Sequence, residues 1–294
     1  MPRTASTGWR STPRYDANSV ISVLQLGTLD YATGLRLQQR LVAFRKEGRI
    51  GDVLLLLEHT PVITLGRNAK AANIVASAEQ LVERGVEIFE SDRGGDVTFH
   101  GPGQLVGYPI FDLRGMASSD GQRRTLGAVE FLRRLEEVLI RTCAGFSIPT
   151  KRVPGLTGVW TDPEHVGTAA PGRPSRAQLG TEEAKIAAIG VHISRAITSH
   201  GFALSVNNDL AYFDLIIPCG ITSKRVTSMA KELGKPIPLQ EAAHAISRNF
   251  GVVFQSQMLW LDTIDALLNT SVGVPMQPPE ELRRLHGEED ICWG

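Results

Sequence analysis

Residues 93–113, RGGDVTFHGPGQLVGYPIFDL, form the most informative stretch of the sequence. Its first eleven residues place four glycines beside an arginine, a threonine and a histidine, and an apolar run typical of a β-strand follows. Glycine permits positive φ angles and lets backbone N–H groups approach a ligand closely. A cationic arginine beside such a loop suits a carboxylate, a phosphate or an extended acyl-linked group. A tight hairpin with a surface arginine is the simpler alternative, but the whole cluster favours a binding site.

This stretch does not match the common nucleotide-binding signatures. Its glycine spacing differs from the dinucleotide fingerprint, and a strand rather than a helix follows it. The Gly234-Lys235 pair is followed by Pro236, where a Walker P-loop requires serine or threonine. The sequence therefore predicts a glycine-rich site that is neither a Rossmann nor a P-loop site.

Outward from this stretch, the pattern predicts alternating strands and helices. An opening strand is expected over 19–27, and Asp30 is expected to cap a helix that ends near Glu47, before Gly48. The apolar run 53–66 predicts one long or two short central strands. The amphipathic pattern of 125–143 predicts a helix, and another is expected over 239–250. Further strands are expected at 104–113, 157–161, 185–193, 201–206 and 213–217.

This mixture predicts the α+β class, with one mixed sheet and helices packed mainly on one face of it. A single catalytic domain is expected over 19–256, preceded by a flexible N-terminal arm at 1–18. A surface insertion is expected at 162–183, where Pro, Gly, Thr, Ala and Ser dominate. Residues 257–294 are expected to form a C-terminal extension.

The composition of the chain excludes several classes of function. The chain has 294 residues, with 31 Lys+Arg against 31 Asp+Glu, so a chain that wraps nucleic acid or coats an anionic membrane is not expected. No apolar run approaches the roughly 18 residues that span a bilayer. The three cysteines lie far apart, which excludes a zinc ribbon, a cysteine-bound iron–sulfur cluster and a disulfide scaffold. These features favour a reducing compartment, and we expect the cytoplasm.

Two further residues are candidates for chemistry. Cys219 lies between Pro218 and Gly220 at a predicted strand end, where we expect the backbone to bend sharply and the thiol to be accessible. A lone cysteine is otherwise usually a small core residue, as expected for Cys143. Lys185 heads an apolar strand, so its ammonium reaches either solvent or a site, where desolvation would lower its pKa. A metal site at His59, His100, His192 and His200 is not expected, because no HxH or HxxxH spacing supports it.

Four segments in this order resemble the lipoyl(octanoyl) transferases: RGGDVTFHGPGQLVGYPIFDL, KIAAIGVHI (185–193), HGFALSVNNDL (200–210) and PCGITSK (218–224). Members of that family move an octanoyl group from acyl carrier protein to a lysine of lipoate-dependent enzyme subunits. The resemblance extends over roughly residues 20–255. It implies the biotin/lipoate protein ligase fold, which agrees with the α+β pattern.

The resemblance also implies roles for residues. Cys219 would be the nucleophile that forms an octanoyl thioester, and Lys185 the general base and acid. Two groups of residues would line the substrate cleft. The first comprises Arg93, Gly94, Gly95, Asp96, Val97, Thr98, Phe99 and His100. The second comprises Ala188, Ile189, Gly190, Gly201, Phe202 and Ala203.

The same resemblance implies the reaction's partners. The donor would be octanoyl-acyl carrier protein, and the acceptors would be lipoyl domains of 2-oxoacid dehydrogenases and the glycine cleavage H protein. Neither nucleic acid nor a membrane is implied. No cofactor is needed, because the thioester arrives activated.

Three alternatives remain open at this stage. An ATP-dependent lipoate or biotin protein ligase shares the implied fold, although PCG and HGPG favour the transferase. A cysteine-dependent amidotransferase would differ only in its acyl donor. A non-catalytic acyl- or lipoyl-domain-binding protein would bind without turnover. The insertion before Lys185 is longer than the family pattern implies. It is either a neutral surface loop or a segment that gates the cleft or contacts a protein partner.

Overall fold

The computed structural model describes residues 19–116, 118, 125–163, 183–217 and 225–269. The N-terminal arm expected at 1–18, most of the insertion expected at 162–183 and the end of the expected C-terminal extension lie outside these residues. Cys219 lies outside them as well.

Within the described chain, nine strands form a mixed main sheet in the order β12-β1-β2-β6-β10-β9-β8-β7, with β11 paired to β9. Their bounds are β1 Val20–Leu29, β2 Asp52–His59, β6 Gln104–Ile110, β7 Thr150–Val153, β8 Leu156–Thr161, β9 Ala184–Ser194, β10 Ile197–Ser205, β11 Arg225–Val226 and β12 Gln257–Trp260. β1 is parallel to β2 and β12, whereas β6 is antiparallel to β2 and β10. The central strands expected near 104–113, 185–193 and 201–206 are thus confirmed.

A second, three-stranded sheet has the order β4-β3-β5. It comprises β3 Val62–Leu65, β4 Glu87–Glu90 and β5 Val97–His100. The apolar run 53–66 therefore forms two strands that belong to different sheets. Pro61 separates them, since proline has no backbone N–H to donate to a continuous ladder.

Six α-helices cover the described sheets: α1 Tyr31–Lys46, α2 Ala78–Glu83, α3 Ala128–Gly145, α4 Met229–Leu233, α5 Leu239–Phe254 and α6 Ile264–Asn269. The expected cap of α1 is confirmed, because the Asp30 carboxylate accepts a 2.8 Å hydrogen bond from the Thr33 N–H. Gly48 follows the helix with a φ of 71°. The start and end of α1 were therefore correctly predicted from its capping residues.

The expectation that helices lie mainly on one face of the sheet is wrong. In β2, Leu54 and Leu56 pack in the cluster that contains α3 and α5. The alternate residues Val53, Leu55 and Leu57 pack with α1 and α6 on the opposite face. A central strand that is apolar on both faces needs cover on both.

The strand expected at 213–217 is also wrong. This segment contains a 3₁₀ helix, Leu210–Leu215, which begins where the Asp209 carboxylate accepts a hydrogen bond from the Ala211 N–H. Phe213, Leu215 and Ile216 are buried in the core of the small sheet. The apolar run reflects this burial and not a strand.

The fold continues beyond the boundary expected at residue 256. β12 pairs in parallel with β1, from Val20↔Gln257 to Val23↔Trp260. Ile264 and Leu267 in α6 are buried in the core beneath α1. None of the helices in the described ranges is long and apolar enough to cross a membrane.

Replacing Phe250 with alanine should lower the free energy of unfolding by about 3–5 kcal/mol. Phe250 is fully buried in α5, with its ring centroid 5.9 Å from that of Phe111 and 5.4 Å from that of Phe254, so its removal leaves a cavity. Urea denaturation measures the change. The control is Val252→Ala in the same helix, at a side chain 53% exposed, which should change the value by less than about 0.5 kcal/mol. Equal effects of the two substitutions would contradict this packing.

Candidate active site

A cavity of about 370 Å³ lies where the glycine-rich segment meets the main sheet. Its walls come from the start of α1, the loop before β5, the strands β6, β9 and β10, and the β7–β8 turn. The structure thus brings together segments that are far apart in the sequence. All the candidate residues of the two cleft-lining groups line this cavity except Phe99, and Lys185 lines it as well.

Phe99 is directed into a different environment. Its ring stacks on Tyr212 with centroids 4.7 Å apart and meets the edge of Phe213 at 5.7 Å. It belongs to the core of the small sheet, whereas Thr98 and His100, its neighbours on β5, line the cavity. The period-two alternation of a strand was the signal that could have separated Phe99 from Thr98 and His100.

The Arg93 side chain lies inside the glycine-rich loop and is hydrogen-bonded there. Its Nη2 donates to the Thr64 carbonyl at 2.6 Å and to the Asp96 carbonyl at 2.7 Å, and its Nε donates to the Thr64 hydroxyl at 3.1 Å. The residue is buried. The guanidinium expected to face a ligand is therefore used to join the glycine-rich loop to β3.

The loop also lies directly against β9. The Gly94 N–H donates to the Val191 carbonyl at 3.0 Å. A Cβ at Gly190 would lie 2.6 Å from the Gly94 carbonyl oxygen, a distance that no side chain allows. Gly190 is thus required for the close approach of two backbones, and this approach forms one wall of the cavity.

Lys185 is only 8% exposed, at the start of β9 and on the cavity wall. Its ammonium lies 5.0 Å from the ring centroid of Trp160, an arrangement that stabilises a cation through the aromatic face. Gly158, which sequence reasoning missed, adjoins this side chain: a Cβ there would lie 3.1 Å from the lysine Cε. The alternative of a lysine in solvent at the sheet edge does not hold.

Three polar side chains near His100 were not assigned to the cleft from the sequence: His59, Tyr108 and Gln104. The His59 Nδ1 donates to the Leu29 carbonyl at 2.9 Å, so the Tyr108 hydroxyl donates to its Nε2 at 2.6 Å. The His100 Nδ1 donates to the Gln104 side-chain oxygen at 2.8 Å. Burial lowers the pKa of His59 to about 4. Burial and the nearby His59 lower the pKa of His100 to about 3, so both rings are neutral near pH 7.

Three further expectations concern Cys143, a metal site and Cys219. Cys143 is fully buried as expected, and burial raises the pKa of its thiol to about 12, which makes it inert. In the described part of the chain, no group of three or more His, Cys, Asp or Glu side chains is arranged to hold a metal ion. Cys219 is not described, but the described chain resumes at Arg225, which pairs with Ala184 next to Lys185.

Residues 30–251 match the family model of the lipoyl protein ligase A/B catalytic domain. This chain belongs to that family. It is 57% identical over 275 residues to an octanoyltransferase of Koribacter versatilis, a match that covers 94% of this chain and 100% of that protein. An octanoyltransferase of Acidobacterium capsulatum is 56% identical over 251 residues, which cover 85% of this chain and 96% of that one.

Solved structures show which fold the family shares. A bipartite lipoate protein ligase from Thermoplasma acidophilum superposes with a TM-score of 0.61 at 15% identity, covering 86% of this chain and 91% of that one. A lipoate-protein ligase A bound with ATP gives a TM-score of 0.57 at 13% identity, covering 84% and 92%. The expected lipoate protein ligase fold is therefore confirmed.

The buried neutral histidines predict acid sensitivity. The unfolded chain binds protons at histidine below about pH 6.5, whereas folded His59 does so only near pH 4. The free energy of unfolding should therefore fall as the pH is lowered from 6.5 towards 4. His59→Gln should flatten this slope, measured by urea denaturation at each pH. The exposed-site control His244→Gln should leave it unchanged. A wild-type stability that stays constant over this range would contradict the assignment.

Proposed function

We propose that this chain is an octanoyltransferase of protein lipoylation, which transfers an octanoyl group from octanoyl-acyl carrier protein to a lysine of a lipoyl domain. The observation that carries the proposal is the 57% identity to an octanoyltransferase along that relative's whole length. The location of Lys185 on the wall of a cavity built by the glycine-rich loop supports it.

The cavity suits an acyl substrate. Its volume of about 370 Å³ falls within the range of roughly 300–1,000 Å³ that small-molecule sites occupy. Apolar side chains on its walls include Val97, Ile189 and Phe202, which suit an alkyl chain. The Gly94 N–H is already donated to Val191, so oxyanion stabilisation falls to other backbone groups of the loop.

In the proposed mechanism, Cys219 attacks the donor thioester and forms an octanoyl-thioester enzyme. Thioester exchange is close to thermoneutral, so this step needs mainly a thiolate and correct orientation. Lys185 accepts the thiol proton and returns it to the leaving thiol. The strand pairing of Arg225 with Ala184 supports a joint role for Cys219 and Lys185, because the described chain six residues after Cys219 pairs with the sheet next to Lys185.

The second half-reaction transfers the group to the acceptor. A free lysine has a pKa near 10.4, so it must lose a proton before it can attack the thioester. Lys185 is the proposed base for this step as well. The proposed acceptors are lipoyl domains of 2-oxoacid dehydrogenases and the glycine cleavage H protein, and the proposed location is the cytoplasm.

A second candidate is an ATP-dependent ligase, because a lipoate-protein ligase A bound with ATP shares the fold. In that case the acyl group would be activated as an adenylate, and no cysteine nucleophile would be required. The two candidates differ in donor and in nucleotide requirement, which makes them separable in one assay.

Lys185→Ala should lower the rate of octanoyl transfer to an apo lipoyl domain by about 10²–10⁴-fold, because it removes the general base. Cys219→Ala should abolish transfer. The assay supplies octanoyl-acyl carrier protein without ATP and follows the acceptor mass. Lys231→Ala, at an exposed lysine of α4, is the matched control and should be fully active. Near-normal rates for either variant, or a strict need for ATP and free octanoate, would contradict the proposal.

A further inference from the structure

His200 adjoins two separate spaces. It lines the cavity, and it also lines a groove of about 300 Å³ that runs between α1 and the β9–β10 hairpin. Asp92, which stands immediately before the glycine-rich loop, lines the groove but not the cavity. The imidazole of His200 thus lies in the partition between the substrate cavity and an outer surface.

A short chain of hydrogen bonds leads outward from this imidazole. The His200 Nε2 lies 2.7 Å from Oδ1 of Asp92, and the His192 Nδ1 lies 2.6 Å from Oδ2 of the same carboxylate. An ionised carboxylate only accepts hydrogen bonds, so both rings donate to it. Side-chain exposure rises from 3% at His200 to 59% at Asp92, which means that the carboxylate meets solvent.

The backbone of His200 is tightly held. Its φ of 55° is rare for a residue other than glycine, and such conformations persist only where the surroundings enforce them. Its backbone N–H donates to the side-chain oxygen of Gln38 at 2.8 Å. Its ring meets that of Tyr108 edge-on, with centroids 6.5 Å apart. The residue therefore keeps its place in the partition.

The charges around His200 favour a neutral imidazole that gains a proton only transiently. Burial lowers the pKa of His200, the Asp92 carboxylate opposes this effect, and Arg93 and His192 add to it. The pKa of Asp92 is raised by its partial burial, but hydrogen bonding from His200 and the charges of both histidines outweigh this and lower it overall. His100 faces the cavity side as a neutral ring, and Lys46 faces the groove side.

Nδ1 is the proton-accepting atom of this imidazole. Since Nε2 carries the hydrogen donated to Asp92, the neutral ring has its lone pair on Nδ1. Among the described residues, no hydrogen bond to Nδ1 occupies that lone pair. The ring can therefore take up a proton at one nitrogen while it releases one from the other.

The reaction of the proposed function, on which this inference rests, produces a proton that Lys185 cannot hold. After acylation the cysteine carries the octanoyl group and Lys185 is neutral. The acceptor lysine arrives as an ammonium and becomes a secondary amide nitrogen, so it loses two protons while the C–S bond breaks and the C–N bond forms. Lys185 takes one of these protons, and its positive charge then offsets the negative charge of the regenerated Cys219 thiolate. The other must leave the cavity in each turnover.

We propose that His200 and Asp92 form the route by which this second proton leaves. The imidazole accepts the proton at Nδ1 and passes its Nε2 proton to the Asp92 carboxylate, which releases it to solvent in the groove. Before the next turnover the ring rotates, loses the Nδ1 proton to water in the groove and regains one at Nε2, which restores the starting tautomer. Only the second half-reaction has a net proton to export. The relay therefore serves transfer to the acceptor and not formation of the acyl-enzyme.

Single-turnover measurement of the two half-reactions tests this relay. Asp92→Asn preserves the shape of the carboxylate but cannot take up the proton. Acylation by octanoyl-acyl carrier protein should proceed at the wild-type rate, whereas transfer to an apo lipoyl domain should slow by about tenfold or more. Added imidazole should restore that rate, and the pH profile of the second half-reaction alone should change. His200→Gln is the second variant and should behave in the same way.

His192→Gln is the matched control. His192 bonds to the same carboxylate but lines only the groove, so both half-reaction rates should stay at the wild-type level. Equal slowing of both half-reactions by Asp92→Asn, without rescue by imidazole, would overturn the relay and leave Asp92 a structural role. An unchanged second half-reaction would overturn it too. A wild-type chain that forms no acyl-enzyme would instead overturn the proposed function, and the relay with it.

Discussion

The site depends on the close approach of two backbones, that of the glycine-rich loop and that of β9. Gly94 donates to the Val191 carbonyl, and the absence of a side chain at Gly190 allows the contact. Arg93 secures the other side of the loop by donating to Thr64 in β3. The loop thereby joins the small sheet to the main sheet, and the cavity forms in the angle between them.

This constraint explains why two strand positions next to the cavity are glycines. A Cβ at Gly190 would collide with the Gly94 carbonyl, and at Gly201 it would collide with the Gly107 carbonyl on the neighbouring strand. At these two positions, glycine is therefore required to leave space between neighbouring backbones. Arg93 lines the cavity, and its guanidinium also donates to the carbonyl oxygens of Thr64, Gly94 and Asp96.

Local chemistry made much of the fold predictable. The Asp30 cap, the Gly48 stop and the apolar central strands follow from nearest-neighbour patterns, and so does the burial of Cys143. The features that the sequence did not predict depend on residues that are distant in the sequence. Pairing of β3 with β4 and β5, the cover on the second face of the sheet and the 3₁₀ helix at Leu210–Leu215 are all set by tertiary contacts.

The candidate site shows the same division. The cleft candidates other than Phe99 meet at the cavity because β9 and β10 are adjacent in the main sheet and the glycine-rich loop lies against β9. Tyr31, Tyr108 and the β7–β8 turn also line it and were not predicted. The placement of His200 between the cavity and the groove could not be read from its sequence, since Asp92 and His192 reach it through the loop contact and the hairpin. Lys185 was singled out because a charged residue that heads an apolar strand needs a polar or aromatic partner, and it is buried on the cavity wall.

We propose that this chain carries the octanoyl group on Cys219. Intact-protein mass spectrometry after mixing the chain with octanoyl-acyl carrier protein, in the absence of ATP, tests this proposal. We expect a hydroxylamine-labile octanoyl adduct that maps to Cys219 and disappears when an apo lipoyl domain is added. No adduct without ATP, together with acceptor octanoylation from free octanoate when ATP is supplied, would contradict it.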